Sequence, residues 1–263
     1  MDRRSFISTC AAGALGIPLC GRLLEALPAR AGETGTTPHW SYSGADGPEH
    51  WGSLSTDFAT CSVGIQQSPI NLSDADAIAA NIGHIQIAYK PIPLRIVNNG
   101  HTIQVNCAPG SHVTLRSQTY NLLQFHFHAP SEHTHNGDRY AMELHFVHQN
   151  AAERIAVLGV FLGEGPPNTS LDPIWNNMPA IAGPERAVPD VRVDPTTLVP
   201  ASAEYFAYLG SLTTPPCTEG VRWVVLARPA SVSRGQVRKF QSIIAKNARP
   251  LQNLNQRFVL QQL

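Results

Sequence analysis

The chain has 263 residues, a formal net charge of zero, and 14% charged beside 43% hydrophobic residues. Such a composition describes a globular protein with a substantial core, arranged as one large domain or two small ones. It excludes the strongly basic or acidic character that nucleic-acid and membrane-surface partners require.

The chain opens on "MDRRSFISTCAAGALGIPLC", which joins two arginines to a modest apolar stretch, and Ala29 and Ala31 in "LPARA" stand as an A-x-A cleavage site. Residues 1–31 therefore read as an export signal, and Arg3 and Arg4 followed by Ser5, Phe6 and Ile7 give it a twin-arginine character. No other apolar run approaches the ~18 residues of a membrane span, so residues 32–263 are expected as a soluble periplasmic or secreted product. Cys10 and Cys20 leave with the signal. Cys107 continues the alternation of Ile103 and Val105 and reads as a small core residue. Cys61 and Cys217 lie in loop sequence rich in Gly, Pro and Ser. An oxidising compartment favours one bridge and one spare thiol among these three, with the two loop cysteines as the favoured pair.

Short alternating or apolar runs then follow one another: "LRIVN", "HTIQVNC", "HVTLR", "NLLQFHFH", "AMELHFVH", "RIAVLGVFL", "EYFAYLG" and "VRWVVLA". "NNG" at 98–100 separates the first two and predicts a hairpin, because Asn and Gly tolerate positive φ. Helical patterning is confined to a turn near "SLDPIWNNM" and a segment from Ser233, a capping residue, to Ala245. With few helices to serve as crossovers, the fold is expected to be mainly β with a mostly antiparallel sheet.

Residues 124–148 hold six of the eleven histidines. Strand alternation puts His126 and His128 on one face with Leu122 and Gln124, and Leu123, Phe125 and Phe127 on the other. In the next strand Glu143, His145 and Val147 share a face opposite Met142, Leu144 and Phe146. A connection holding Pro130, Asn136 and Gly137 lets the two strands pair, so that three imidazoles converge on one side. A merely solvated face would carry Lys, Thr and Ser, and these strands have no Lys there. Three nitrogens and an open fourth position are the ligand set of a catalytic zinc site, and Gln124 and Glu143 stand where outer hydrogen-bond partners are needed. His133 and His135 read as surface or loop-packing residues, and His148 as a buried histidine bonded to backbone. His126-x-His128 followed by Glu132 also resembles the first metal motif of the cupin barrels, which hold iron or manganese for oxygenase chemistry. That motif expects glycines where Tyr120 and Arg139 stand, and no later Gly-rich segment supplies its second histidine.

The histidine segment, "GPEHWG", "QSPINL", "NNGH", "AVLGVFL" and "SLTTPPCTEGVRW" together resemble the alpha-class carbonic anhydrases, in family order from His39 to Arg257. The resemblance implies a single mainly β (α+β) domain around a large twisted, mostly antiparallel sheet with a few short peripheral helices. It implies a zinc (Zn2+) enzyme interconverting carbon dioxide and bicarbonate, a monomer or homodimer with no nucleic-acid or membrane partner. Carried over by position, His126, His128 and His145 are the zinc ligands, and Gln124 and Glu143 orient them. Glu132 accepts from the hydroxyl of Thr213, and Thr214 adjoins the bicarbonate site. Val147, Val157, Leu212, Val221 and Trp223 form the apolar wall, and His101 is the proton shuttle. The family's loop cysteine pair matches Cys61 and Cys217. Ala129 and Pro130 depart from the Trp-Gly of animal members, and Gln104 replaces an Asn on the polar wall, which leaves the chemistry intact but changes the relay of solvent. The competing reading within the resemblance is a binding protein without catalysis, which usually lacks a ligand histidine that this chain keeps. No HExxH helix or nucleophile elbow suggests another hydrolase.

Overall fold

The computed structural model describes residues 38–262. The expected export segment, with Arg3, Arg4, Cys10 and Cys20, lies outside the described residues. The strands are β1 (Asn71–Leu72), β2 (Ile78–Ala79), β3 (Gln86–Ala88), β4 (Ile92–Asn98), β5 (Ile103–Asn106), β6 (His112–Leu115) and β7 (Gln118–His128). They continue as β8 (Thr134–His135), β9 (Met142–Gln149), β10 (Ile155–Glu164), β11 (Arg186–Val193), β12 (Tyr205–Ser211), β13 (Glu219–Val232) and β14 (Leu260–Gln262). Among the described residues four short α-helices accompany them: α1 (Trp51–Leu54), α2 (Thr60–Val63), α3 (Asp172–Trp175) and α4 (Arg234–Gln241).

Twelve strands form one sheet whose main path runs β11-β4-β5-β7-β9-β10-β13-β12-β14-β2, with β6 beside β7 and β3 beside β6. Most pairs are antiparallel, as expected, and "NNG" does close the β4–β5 hairpin. The β10–β13 and β14–β2 pairs are parallel. Chain between β10 and β13 returns through β11 and β12, so a parallel neighbour arises without a long crossover helix.

One expectation about parity is corrected. β7 carries a bulge between Leu122 and Gln124, where Leu122 pairs with His148 and Gln124 with Val147. The extra residue, Leu123, reverses the alternation. Leu122 therefore joins Phe125 and Phe127 in the main core, not Gln124 and the histidines. Beyond the bulge the reading holds, with His126 opposite His145 and His128 opposite Glu143.

The main core packs Phe125, Phe127, Leu144 and Phe146 against Leu94, Ile96, Trp175 and Phe240, all buried. Truncating one such phenylalanine typically costs about 3–5 kcal/mol, so this layer fixes the backbone of β7 and β9 that carries the histidines on its other face. Phe240 comes from α4, which Ser233 and Gln236 open with a reciprocal capping box. The helix ends at Gln241, four residues before the expected end, where β-branched Ile243 and Ile244 follow and both bond back to Phe240 O.

Candidate metal centre

Cross-strand pairing puts His126 and His145 side by side, and His128 follows two residues along the same strand face. The ring centroids lie 5.0 Å (His126–His128), 5.3 Å (His126–His145) and 4.5 Å (His128–His145) apart. One nitrogen from each ring falls within 4.8 Å of the other two, a set that can hold a metal ion.

Acceptors decide which nitrogens these are. His128 donates Nδ1–H to the carbonyl of Asn247 at 2.7 Å, and His145 donates Nε2–H to Glu143 Oε1 at 2.9 Å. Gln124 Oε1 lies 2.8 Å from His126 Nδ1. A carbonyl and a carboxylate can only accept, so those tautomers are fixed chemically. Nε2 of His126, Nε2 of His128 and Nδ1 of His145 are left facing one another. His128 Nε2 is buried and has no hydrogen-bond partner, a cost that a cation at the convergence point would relieve. Burial, then the neighbouring histidines, hold His126 well below the usual imidazole range, and burial lowers His128 against the pull of Glu132. The neutral ring is the form that binds a metal. Three imidazole nitrogens in this arrangement fit zinc with one open position.

Glu143 is fully buried and takes four donors. Oε1 accepts from His145 Nε2 and from His133 Nδ1 at 2.7 Å, and Oε2 from the backbone N–H groups of Glu132 at 2.9 Å and His133 at 2.8 Å. Burial alone would raise its pKa, yet the two histidines hold it well below the usual carboxylate range. His133 is thus the loop-packing residue and not a surface one. It is buried, with Nδ1–H on Glu143 and Nε2 accepting from Tyr208 at 2.6 Å, and Tyr208 lies 2.8 Å from Ser68 Oγ. His133, Glu143 and His145 also form a second candidate metal group, but their facing atoms are already hydrogen-bonded to one another. His135 is half-buried and lies in β8, paired with Leu72 of β1, with its ring 3.1 Å from Asp74. His148 is buried as expected, near Ala156 O at 3.3 Å and also Tyr89 Oη at 2.8 Å.

Trp223 packs against the His145 ring, with centroids 4.9 Å apart. Val147, Val157, Val221 and Trp223 are buried in one cluster, with Leu212 packed against it. They meet because Val147, Val157 and Trp223 lie in register across β9, β10 and β13. A Cβ on Gly159, opposite His145, would meet Glu143 Oε1 at 3.2 Å, so glycine there allows the close approach. Thr213 is buried and Thr214 half-buried, in the turn after β12, where Cys217 N–H donates to Thr214 O at 2.8 Å. The expected Thr213–Glu132 bond is not formed. Glu132 Oε1 accepts from Arg249 N–H at 2.8 Å, while Oε2 has no partner and leans toward His128 Nε2 at 3.5 Å. His101 follows the hairpin turn and stacks on Trp40, with ring centroids 3.6 Å apart and planes within 6°.

Two residues escape the sequence reading. Asn247 supplies the carbonyl for His128, accepts Ala129 N–H at 2.8 Å, and donates to His101 O at 3.0 Å and Phe127 O at 2.9 Å. Arg249 is buried and ties Gln67 Oε1, Ser68 O and Cys61 O together beside the Trp51 ring. Both lie in the irregular segment after α4, more than 100 residues from their partners, where no local pattern marks them. Cys61 and Cys217 are bridged across 156 residues, and Cys107 is free.

The family model described as eukaryotic-type carbonic anhydrase matches residues 46–263. The chain belongs to that family. A carbonic anhydrase of Nostoc is 44% identical over 237 residues, covering 89% of this chain and 88% of the relative, and one of Neisseria gonorrhoeae is 42% identical over 91% and 94%. Among solved structures, the alpha-carbonic anhydrase of Thermovibrio ammonificans in complex with the inhibitor sulfanilamide aligns with a TM-score of 0.83 at 45% identity, covering 86% of this chain and all of that one. This carbonic anhydrase has no described helix long and apolar enough to cross a membrane.

Proposed function

We infer that this carbonic anhydrase catalyses the reversible hydration of carbon dioxide to bicarbonate and a proton, with one zinc ion held by His126 Nε2, His128 Nε2 and His145 Nδ1. The observation that carries this reading is the convergence of three orientation-locked imidazoles beside an apolar wall. Zinc lowers the pKa of water that it binds to about 7, carbonic anhydrase being the standard example of that shift. Neutral imidazoles add no negative charge that would weaken the effect.

The protein's own groups do the rest. Val147, Val157, Leu212, Val221 and Trp223 offer an apolar surface to carbon dioxide, which has no charge to bind. Thr213 is assigned the orienting role: its hydroxyl would satisfy Glu132 Oε2 and then accept from the nucleophile, aiming a lone pair at the substrate. Thr214 adjoins the product. His101, whose pKa burial lowers from the ordinary imidazole value, takes up the released proton at a ring nitrogen and passes it to buffer. Neither the cupin-type oxygenase nor a non-catalytic binding protein is favoured, since the chain belongs to the carbonic anhydrase family and keeps all three ligand histidines.

Residues 1–31 are proposed to direct export, leaving a monomer or homodimer in the periplasm or outside the cell; the Cys61–Cys217 bridge supports an oxidising destination. Stopped-flow hydration by the mature protein, with and without chelator and beside His145→Ala, tests the reading. Activity is expected only in the metal-loaded wild type, and hydration that survives both chelation and the substitution contradicts it.

A further inference from the structure

The polar side of the cleft holds a hydrogen-bonded chain that the mechanism above does not use. Gln104 lies opposite His126 in the β5–β7 register, and Asn106 lies opposite Gln124. Directly opposed residues of an antiparallel pair share a face, so both side chains stand on the histidine side of the sheet. Gln104 Nε2 donates to Asn106 Oδ1 at 2.6 Å, and Asn106 Nδ2 donates to Glu185 Oε2 at 2.6 Å. Glu185 Oε1 takes Arg95 Nε–H at 2.7 Å.

An amide can be turned end for end in most settings, but this chain has a fixed direction. The Glu185 carboxylate, paired with Arg95, accepts, so Asn106 must present its NH2 to it and its carbonyl to Gln104. Gln104 must then present its own NH2 to Asn106. Its Oε1 is left on the cleft, with no hydrogen bond from any described residue. A carboxylate two side chains away thus determines that the wall beside His126 is an acceptor and not a donor.

Gln104 lies three residues beyond His101 on the same hairpin and directly opposite His126. Solvent held there must donate one hydrogen to Oε1, which leaves its other hydrogen and its lone pairs for further solvent. We propose that Glu185 is a positioning residue for proton export: through Asn106 it fixes the Gln104 amide so that its carbonyl oxygen orders solvent between the histidine floor and His101. This role rests on the hydration reading above.

Glu185→Gln is the informative variant, because the new amide can donate to Asn106 Oδ1 and let both amides reverse. Proton export follows substrate conversion, so its loss lowers kcat and spares kcat/KM. In weak buffer, zinc-loaded Glu185→Gln is expected to lose about fivefold in kcat with kcat/KM unchanged within about twofold, and added imidazole to restore it. A cycle with Gln104→Met separates positioning from simple support. In the Gln104→Met background, Glu185→Gln should change kcat no further. Side-chain amide NMR of the metal-free protein supplies a readout apart from activity: the Asn106 and Gln104 NH2 signals should both move in Glu185→Gln. Unmoved amide signals, unchanged kcat in weak buffer, equal loss of kcat and kcat/KM, or additive effects in the cycle would each overturn the proposal. An inactive zinc-loaded wild type would instead remove the hydration reading, and this role with it.

Discussion

His145 donates its Nε2–H to Glu143 Oε1 at 2.9 Å, and this bond selects Nδ1 as the nitrogen that faces His126 and His128. The same carboxylate also takes three donors from the Glu132–His133 turn. Glu143→Gln can satisfy only part of that set, since its NH2 would confront N–H groups. Loss of such an outer partner typically costs about 10–100-fold in metal affinity. Competition against a chelator should show a zinc affinity weaker by that order, and an unchanged affinity would show that the bond does not orient the ring.

The stack of His101 on Trp40 bears on the proton path. Burial, then the charge of nearby His39, lowers the His101 pKa from its ordinary value. The neutral form that accepts a proton therefore persists to lower pH than for a free histidine. In weak buffer the acid limb of kcat should have its midpoint below about 6.5, and Trp40→Ala, which exposes the ring, should move it upward. His101→Ala should lower kcat in the same buffer, with imidazole restoring it. Unchanged turnover in His101→Ala would remove the shuttle assignment.

The Cys61–Cys217 bridge closes a loop of 156 residues and holds the strand-end segment that carries Thr213 and Thr214 near α2. In the chain-entropy model a loop of this length is worth roughly 5 kcal/mol, commonly reduced by strain. Urea unfolding should show a large loss of stability for the Cys61→Ser, Cys217→Ser double variant. Mass spectrometry should find one free thiol per mature chain, at Cys107. A count of three, or equal stability, would contradict the bridge.

His148 predicts an acid-labile fold. It is fully buried, and desolvation pushes its pKa down to about 3. The unfolded chain thus binds this proton more readily, so stability rises with pH across the window from about 3 to about 6.5 and is lost as pH falls through it. His148→Gln, which keeps polar contact with Tyr89 and Ala156 but does not titrate, should flatten the dependence of unfolding free energy on pH in that window. An equally steep profile would assign the lability to other groups.

Much of the centre was legible because strand alternation is a local rule. Once "QFHFH" and "MELHFVH" were read as paired strands, His126, His128, His145, Gln124 and Glu143 had to meet on one face, and they do. The bulge at Leu123 was not legible, since nothing in "NLLQ" distinguishes an extra residue from regular pleat, and Leu122 went to the wrong side. For His133 loop packing was legible but its partner was not, because Glu143 is brought to it only by tertiary structure. Asn247 and Arg249 reach the floor from a segment without periodicity, so only the folded chain reveals them. The direction of the Gln104 amide depends on Glu185, which immediately precedes β11, and no motif encodes it.

The most direct measurement is a zinc titration of metal-free mature protein followed by stopped-flow hydration of carbon dioxide. Activity should rise in proportion to added zinc and level off at one equivalent, and the His126→Ala, His128→Ala and His145→Ala variants should gain little over the same range. Hydration without added metal, or a plateau that the three substitutions leave in place, would contradict the account.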